Sequence, residues 1–136
     1  MAETNQSTPK TTINKKKTYK SFAEGRLYVQ STFNNTIVSV TDPKGKVLTW
    51  SSAGNCGFKG SRKSTPFAAT TAIEKALEEA KKHGIKKLEV YLKGPGVGHD
   101  AALRYLRTKR DFDVDKIADI TPIPHNGPRP PKQRRA

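Results

Sequence analysis

The sequence predicts an α/β fold: one mixed five-stranded sheet in the order 3-2-1-4-5, built from the succession βββαβαβ and covered by helices. Three patterns carry this expectation. Short segments of period-two alternation follow one another near the start of the chain. One long segment repeats apolar residues at helical spacing between a clear start and a clear stop. Two Gly-rich loops each lead into a helix and then a strand, the crossover that returns a chain to a parallel, right-handed connection.

Leu27, Val29, Ser31 and Phe33 alternate with Tyr28, Gln30 and Thr32, which predicts a strand over Arg26 to Phe33. Val38 and Val40 alternate with Ile37 and Ser39 in a second strand over Thr36 to Thr41. Asn34 and Asn35 between them tolerate positive φ and suit a two-residue primed turn. Asp42-Pro43-Lys44-Gly45 is a second turn, ahead of a third strand over Lys46 to Ser51. Thr65 is the expected N-cap of a helix with Pro66 at its first position, and Ala69, Ala72, Ile73, Ala76, Leu77 and Ala80 form its apolar face. Lys81, Lys82 and His83 suit its C-terminal end and Gly84 the position after it. Leu88, Val90 and Leu92 mark a fourth strand over Lys87 to Lys93. The loop Gly94-Pro95-Gly96-Val97-Gly98 then opens a helix from about Asp100 to Lys109, and Val114 to Thr121 is a fifth strand. No repeat of solenoid period occurs.

A chain of 136 residues holds one ordinary domain plus tails. It carries 26 basic and 12 acidic residues, a formal net charge of +14. Such an excess calls for a polyanion, either nucleic acid or an anionic membrane. A membrane span needs about 20 mostly apolar residues, and the sequence has nothing near that length. Met1 to Lys20 is polar and has no secretory h-region, so the protein is expected to remain where it is made. The single cysteine, Cys56, excludes an intramolecular disulfide and a multi-cysteine zinc site.

The charge divides the chain into three. Residues 1–24 are expected to be a disordered basic arm containing Lys15, Lys16 and Lys17, too poor in apolar residues to fold alone. Residues 25–121 are expected to be a single α/β domain. Residues 122–136 carry Arg129, Lys132, Arg134 and Arg135 among five prolines and no acid, the composition of an extended basic strap. Within the domain no acid falls between Asp42 and Glu74, whereas Lys44, Lys46, Lys59, Arg62 and Lys63 do, which predicts one strongly positive edge.

The loop Ser51 to Thr65 combines glycines, hydroxyls and Lys59, Arg62 and Lys63 just before a helix N-terminus, a combination suited to phosphate backbone. A plain connection is the alternative. Gly94 to Gly98 is no Walker loop, since Pro95 removes a donor and no Gly-Lys-Ser/Thr follows. His83, His99 and His125 lack metal spacing, the acids at Glu74 to Glu79 and Asp100 to Asp119 read as helix partners, and no nucleophile elbow or paired-carboxylate signature occurs. No catalytic residue, metal or cofactor is predicted. Phe58, Trp50, Tyr19 and Tyr105 are stacking candidates, with core packing preferred for Trp50. Asn126-Gly127 has the backbone most open to succinimide formation.

Phe33-Asn34-Asn35-Thr36, the run Gly57-Phe58-Lys59-Gly60-Ser61-Arg62-Lys63-Ser64-Thr65-Pro66-Phe67-Ala68, Lys93-Gly94-Pro95-Gly96 and Thr121-Pro122-Ile123-Pro124-His125-Asn126-Gly127 closely resemble the small-subunit ribosomal protein eleven family of bacterial and organellar type. The resemblance extends from about residue 26 to the C-terminus. It implies a ribonuclease-H-like topology without enzymatic activity, and a structural place on the small-subunit platform near the messenger RNA path. The implied partners are small-subunit ribosomal RNA and neighbouring platform proteins, with no membrane and no homo-oligomer. The implied location is the cytoplasmic ribosome, or the plastid stroma for an organellar member. RNA-facing roles are implied for Lys59, Arg62, Lys63, Ser64 and Thr65, for Lys93, Gly94 and Gly96, and for His125, Asn126, Arg129 and Lys132. Two departures are His99, where the family often has Arg, and Pro128, commonly Cys in bacterial members. The alternatives from the residues alone are a free-standing non-catalytic RNA-binding protein or RNA chaperone, and a nuclease, which would need clustered carboxylates.

Overall fold

A computed structural model describes residues 21–135. The elements are β1 (Glu24–Ser31), β2 (Thr36–Thr41), β3 (Val47–Ser52), a short 3-10 turn (Gly60–Ser64), α1 (Pro66–Lys82), β4 (Lys87–Lys93), α2 (Val97–Thr108) and β5 (Asp113–Asp119). They build one sheet in the predicted order β3-β2-β1-β4-β5. The β1–β2 and β2–β3 pairs are antiparallel, and the β1–β4 and β4–β5 pairs are parallel.

The crossovers β3–α1–β4 and β4–α2–β5 advance across the sheet in the same direction. Right-handed connections that do so lay both helices on one face. The expectation of a sheet covered by helices therefore holds for that face only. There Leu27, Val29, Val38, Val40, Leu88, Val90 and Leu92 meet Ala72, Ile73, Ala76 and Leu77 of α1 and Ala102 and Leu106 of α2 in one cluster. The alanines of α1 keep its axis close to the strands. The residues between those core positions, Tyr28, Ser39 and Tyr91 among them, point to the opposite face by the alternation of the pleat and are only half-buried. Trp50 belongs to that uncovered face and is 58% exposed, so its expected place in the core is corrected.

The helix signals act as read. Thr65 Oγ1 accepts the Ala68 N–H at 3.2 Å and Pro66 opens α1. Gly84 stands just past the end at φ 77°, its N–H donating to the Lys81 carbonyl. In the turn after β2, Gly45 at φ 95° donates to the Asp42 carbonyl, while Asp42 Oδ1 accepts from the N–H groups of Lys44 and Lys46 at 3.0 and 2.8 Å.

Two connections differ from expectation. The β1–β2 link is a four-residue loop, not a primed Asn34-Asn35 turn, because Ser31 already pairs with Thr36 and neither asparagine has positive φ. Thr32 organises this loop: its N–H donates to the Asn35 carbonyl, and its hydroxyl accepts from the N–H groups of Asn34 and Asn35. Phe33 is thereby removed from the strand and is 76% exposed at the loop tip. The second difference is α2, which begins at Val97 rather than near Asp100 and so absorbs Val97 and Gly98 of the Gly-rich loop. Its first turn docks on the end of the β1–β2 pair, where the Gly98 N–H donates to the buried Ser31 Oγ at 3.0 Å.

That docking requires glycine. A Cβ on Gly94, at φ 99°, would strike the Ser31 carbonyl oxygen, one on Gly96 the Thr32 carbonyl oxygen, and one on Gly98 the Thr36 hydroxyl. Gly94→Ala combines backbone strain with a backbone collision and should lower the unfolding free energy by about 3 kcal/mol or more. Gly45→Ala has a similar φ but open space around it, and should cost about 1 kcal/mol. Urea denaturation of the two variants side by side checks the difference.

Candidate nucleic-acid interface

β1, β3, β4 and β5 all run in the same direction, so their carboxyl ends reach one edge of the sheet. The chain leaves that edge through the 32–35 loop, the loop after β3, the Gly94–Gly96 turn and the strap after β5, and both helices start there. Open α/β sheets gather their ligand contacts at this edge.

The loop after β3 is a folded object. Ala53 is fully buried and its N–H donates to the Thr36 carbonyl, while Phe58 N–H donates back to Ala53. Cys56 packs against the core, with its Sγ 3.5 Å from Ser51 Oγ. The 3-10 turn presents Lys59 and Arg62 to solvent with Lys63 half-buried beside them. The Ser64 and Thr65 hydroxyls, read from the sequence as RNA-facing, donate inward to the carbonyls of Ser61 and Arg62, each at 2.8 Å. Thr65 therefore holds the turn and caps α1 at the same time. Phe58 meets Phe67 edge to face at 5.8 Å between centroids, and Phe67 is 71% exposed. To the stacking candidates that the sequence offers, the structure adds Phe33 and Phe67, both exposed and both at this edge. The hydroxyl bonds of Thr32 and the helix start at Pro66, each placing an apolar residue outside the core, are the signals that point to them.

Lys93 is exposed at the end of β4. Gly94 is half-buried and Gly96 buried, so these glycines serve close packing against Ser31 and Thr32. The strap begins at the same turn: Ile120 N–H donates to the Leu92 carbonyl at 2.8 Å, and Thr121 Oγ1 accepts the Gly94 N–H at 3.1 Å. Asp119 Oδ1 takes the N–H and hydroxyl of Thr121. Its Oδ2 lies 3.3 Å from His99 Nε2. His99, also 3.8 Å from Asp100, thus faces carboxylates. The Thr121 bonds hold the Asp119 carboxyl below its ordinary pKa of 3.8. Beyond Thr121 the strap, with His125, Asn126, Arg129, Lys132, Arg134 and Arg135, is exposed throughout. Asn126 has φ 57°, the one positive value outside glycine among the described residues. Lys15, Lys16, Lys17 and Tyr19 lie outside the described residues.

Tyr105 differs from the other stacking candidates. It sits between the helices, where burial first and Glu74 next push its phenol pKa up to about 12, and Lys109 Nζ lies 6.0 Å from its ring centroid.

The acid-free stretch does not form a single edge. β3 carries the chain from one end of the sheet to the other, which leaves Lys44 and Lys46 at the far end from Lys59, Arg62 and Lys63. At the far end acids and bases pair, as in Lys81–Asp111 at 2.8 Å and Lys109–Glu74 at 3.5 Å. Among the described residues no carboxylate stands within 4.0 Å of Lys59, Arg62, Lys63 or Lys93. Nor do His, Cys, Asp and Glu gather anywhere in a group able to hold a metal ion, and no helix is long and apolar enough to cross a membrane.

A rigid α/β domain with an edge of unpaired cations defines a protein that binds a polyanion. Residues 25–135 match the family model of Ribosomal protein S11, and the chain belongs to that family. It is a small-subunit ribosomal protein, ribosome-associated, binding ribosomal RNA within a ribonucleoprotein that serves translation, in a family that is structural rather than catalytic.

Two outcomes follow from the strap. Asp119 has a depressed pKa, so its hold on Thr121 is complete above 3.8 and is lost as pH falls through the lower folded value. In an NMR titration the Thr121 amide should move with a midpoint below 3.8, and Asp119→Asn should abolish the transition. At Asn126-Gly127, the Gly127 nitrogen can attack the Asn126 side-chain amide with loss of ammonia, and the succinimide then opens to isoaspartate. Peptide mass spectrometry with an isoaspartate-specific methyltransferase should find isoaspartate at position 126 in protein held for days at neutral pH, and less in RNA-bound protein.

Proposed function

We propose that this protein stands on the platform of the small subunit, beside neighbouring platform proteins and near the messenger RNA path, and supports subunit assembly as well as translation. Its location is the cytoplasmic ribosome, or the plastid stroma if the source is an organelle. Lys59, Arg62, Lys63 and Lys93 meet phosphates of the ribosomal RNA directly. Ser64, Thr65, Gly94 and Gly96 give the RNA-facing turns their shape. The strap, through His125, Asn126, Arg129, Lys132, Arg134 and Arg135, and the arm, through Lys15, Lys16 and Lys17, follow the RNA away from the domain.

The observation that carries this reading is the gathering of Lys59, Arg62, Lys63 and Lys93 at one edge of the sheet with no carboxylate partner among the described residues. A merely soluble surface mixes both signs, as the opposite end of this molecule does. The hydrogen-bonded turn that holds Arg62 and Lys63 also lowers the ordering cost of binding.

Replacing Arg62 and Lys63 together by Ala should weaken binding to small-subunit RNA on the order of tenfold or more and reduce the slope of log K against log salt by about 2. The melting temperature should not change, because exposed loop charges add little to folding. For the parent protein, affinity should fall on the order of a thousandfold between about 50 and 200 mM salt. Filter binding across a salt series, with thermal denaturation of both proteins, tests all three, and an unchanged slope in the double variant would place the phosphates elsewhere.

A further inference from the structure

The uncovered face of the sheet carries exposed apolar surface apart from the cationic edge. Register places Trp50 opposite Ser39, Ser39 opposite Tyr28, and Tyr28 opposite Tyr91, in one row across four strands. Ser39 is small, and its two large neighbours in the row lie two strand spacings apart, about 10 Å. The row therefore has a depression at Ser39, walled by Trp50 and Tyr28. Ile37 and Val47 stand on the same face, 42% and 54% exposed. Large exposed apolar side chains gathered on one face mark an interaction surface.

The chemistry of this face selects its occupant. Opposite charges sit at register-paired positions, Glu24 with Lys87, Arg26 with Glu89 and Glu89 with Lys116, and Arg26 Nε lies 3.4 Å from Glu89. These pairs neutralise the face over β1, β4 and β5 except at Lys93, where it meets the cationic edge beside Gln30, and β2 and β3 add no charged side chain for a polyanion to meet. The tyrosine ring faces are also in use: Tyr28 and Tyr91 stack on each other at 5.2 Å and 17°, and Lys116 Nζ lies 5.6 Å from the Tyr91 centroid. Ile37 and Val47 are aliphatic and give a nucleobase no stacking surface, which leaves the 58% exposed Trp50 indole as the ring surface of the patch. What remains fits a polypeptide with apolar side chains and little net charge.

We infer that the uncovered sheet face over β2 and β3 is a docking surface for another protein of the small-subunit particle, which seats an apolar side chain over Ser39 between Trp50 and Tyr28. The inference rests on the ribosomal reading for the particle in which the partner is found. The test places p-benzoyl-phenylalanine at position 50, assembles the full chain into small subunits, irradiates them and identifies the product. A cross-link to another ribosomal protein, reduced at least fivefold when Ser39→Arg fills the depression, is the expected result. If Ser39→Arg lowers the melting temperature, Ile37→Asp at an exposed position takes its place. A cross-link to ribosomal RNA or to residues 1–20 of the same chain, no cross-link, or a protein cross-link unaffected by filling the depression would overturn the inference alone. Absence of the chain from the particles would overturn the ribosomal reading with it.

Discussion

The contact between the start of α2 and the end of the β1–β2 pair governs the rest of the molecule. Ser31 is buried at the last position of β1, and its hydroxyl accepts the Gly98 N–H. A buried hydroxyl and a helix-end N–H would each be costly without a partner, and here they satisfy one another. The bond forms only because Gly94, Gly96 and Gly98 let the backbone of the β4–α2 turn come up against Ser31, Thr32 and Thr36. Once it is made, the direction of α2, the placement of Lys93 and the exit of the strap at Thr121 are settled together, since Thr121 bonds Gly94 of that same turn.

The two ends of the sheet divide the electrostatic work. Helix C-termini, with Lys81, Lys82, Lys109 and their carboxylate partners, lie at one end. Those exposed pairs add little stability individually, yet they use up the acids there. At the other end Lys59, Arg62, Lys63 and Lys93 have no carboxylate within 4.0 Å among the described residues, and internal hydrogen bonds rather than a ligand hold the backbone that carries them. A phosphate backbone can neutralise them at small entropic cost, and the repulsion among them is tolerable because loops, not the core, carry it.

The two faces of the sheet divide the apolar work in the same way. Successive right-handed crossovers that advance in one direction cover one face twice and leave the other bare. On the bare face Tyr28 stacks on Tyr91 and Arg26 pairs with Glu89, which covers part of the face without a helix over it. Trp50, Ile37 and Val47 are left over, and their exposure is a consequence of topology rather than of local sequence.

Local physics was legible in the chain by itself. Period-two alternation set β4 to the residue, the Thr65-Pro66 start and Gly84 stop bounded α1, and the strand order followed from connection rules, because each depends on neighbours in sequence. The motif residues also sufficed for the ribosomal family resemblance. The cations of the 3-10 turn and the strap could be named, since charge excess is a property of composition. Contacts between distant segments could not be read this way. The alternation through Phe33 looked unbroken, but pairing of Ser31 with Thr36 ended the strand two residues sooner. The Gly94–Gly98 run reads as a loop, but bonding of Gly98 to a serine far back in the chain draws Val97 and Gly98 into the first turn of α2. Lys44 and Lys46 looked continuous with Lys59, Arg62 and Lys63, but β3 separated them by its own length. Which face Trp50 occupies, and whether anything covers it, was decided only when both helices came down on the other side, because burial is a property of the packed layers and not of any one strand.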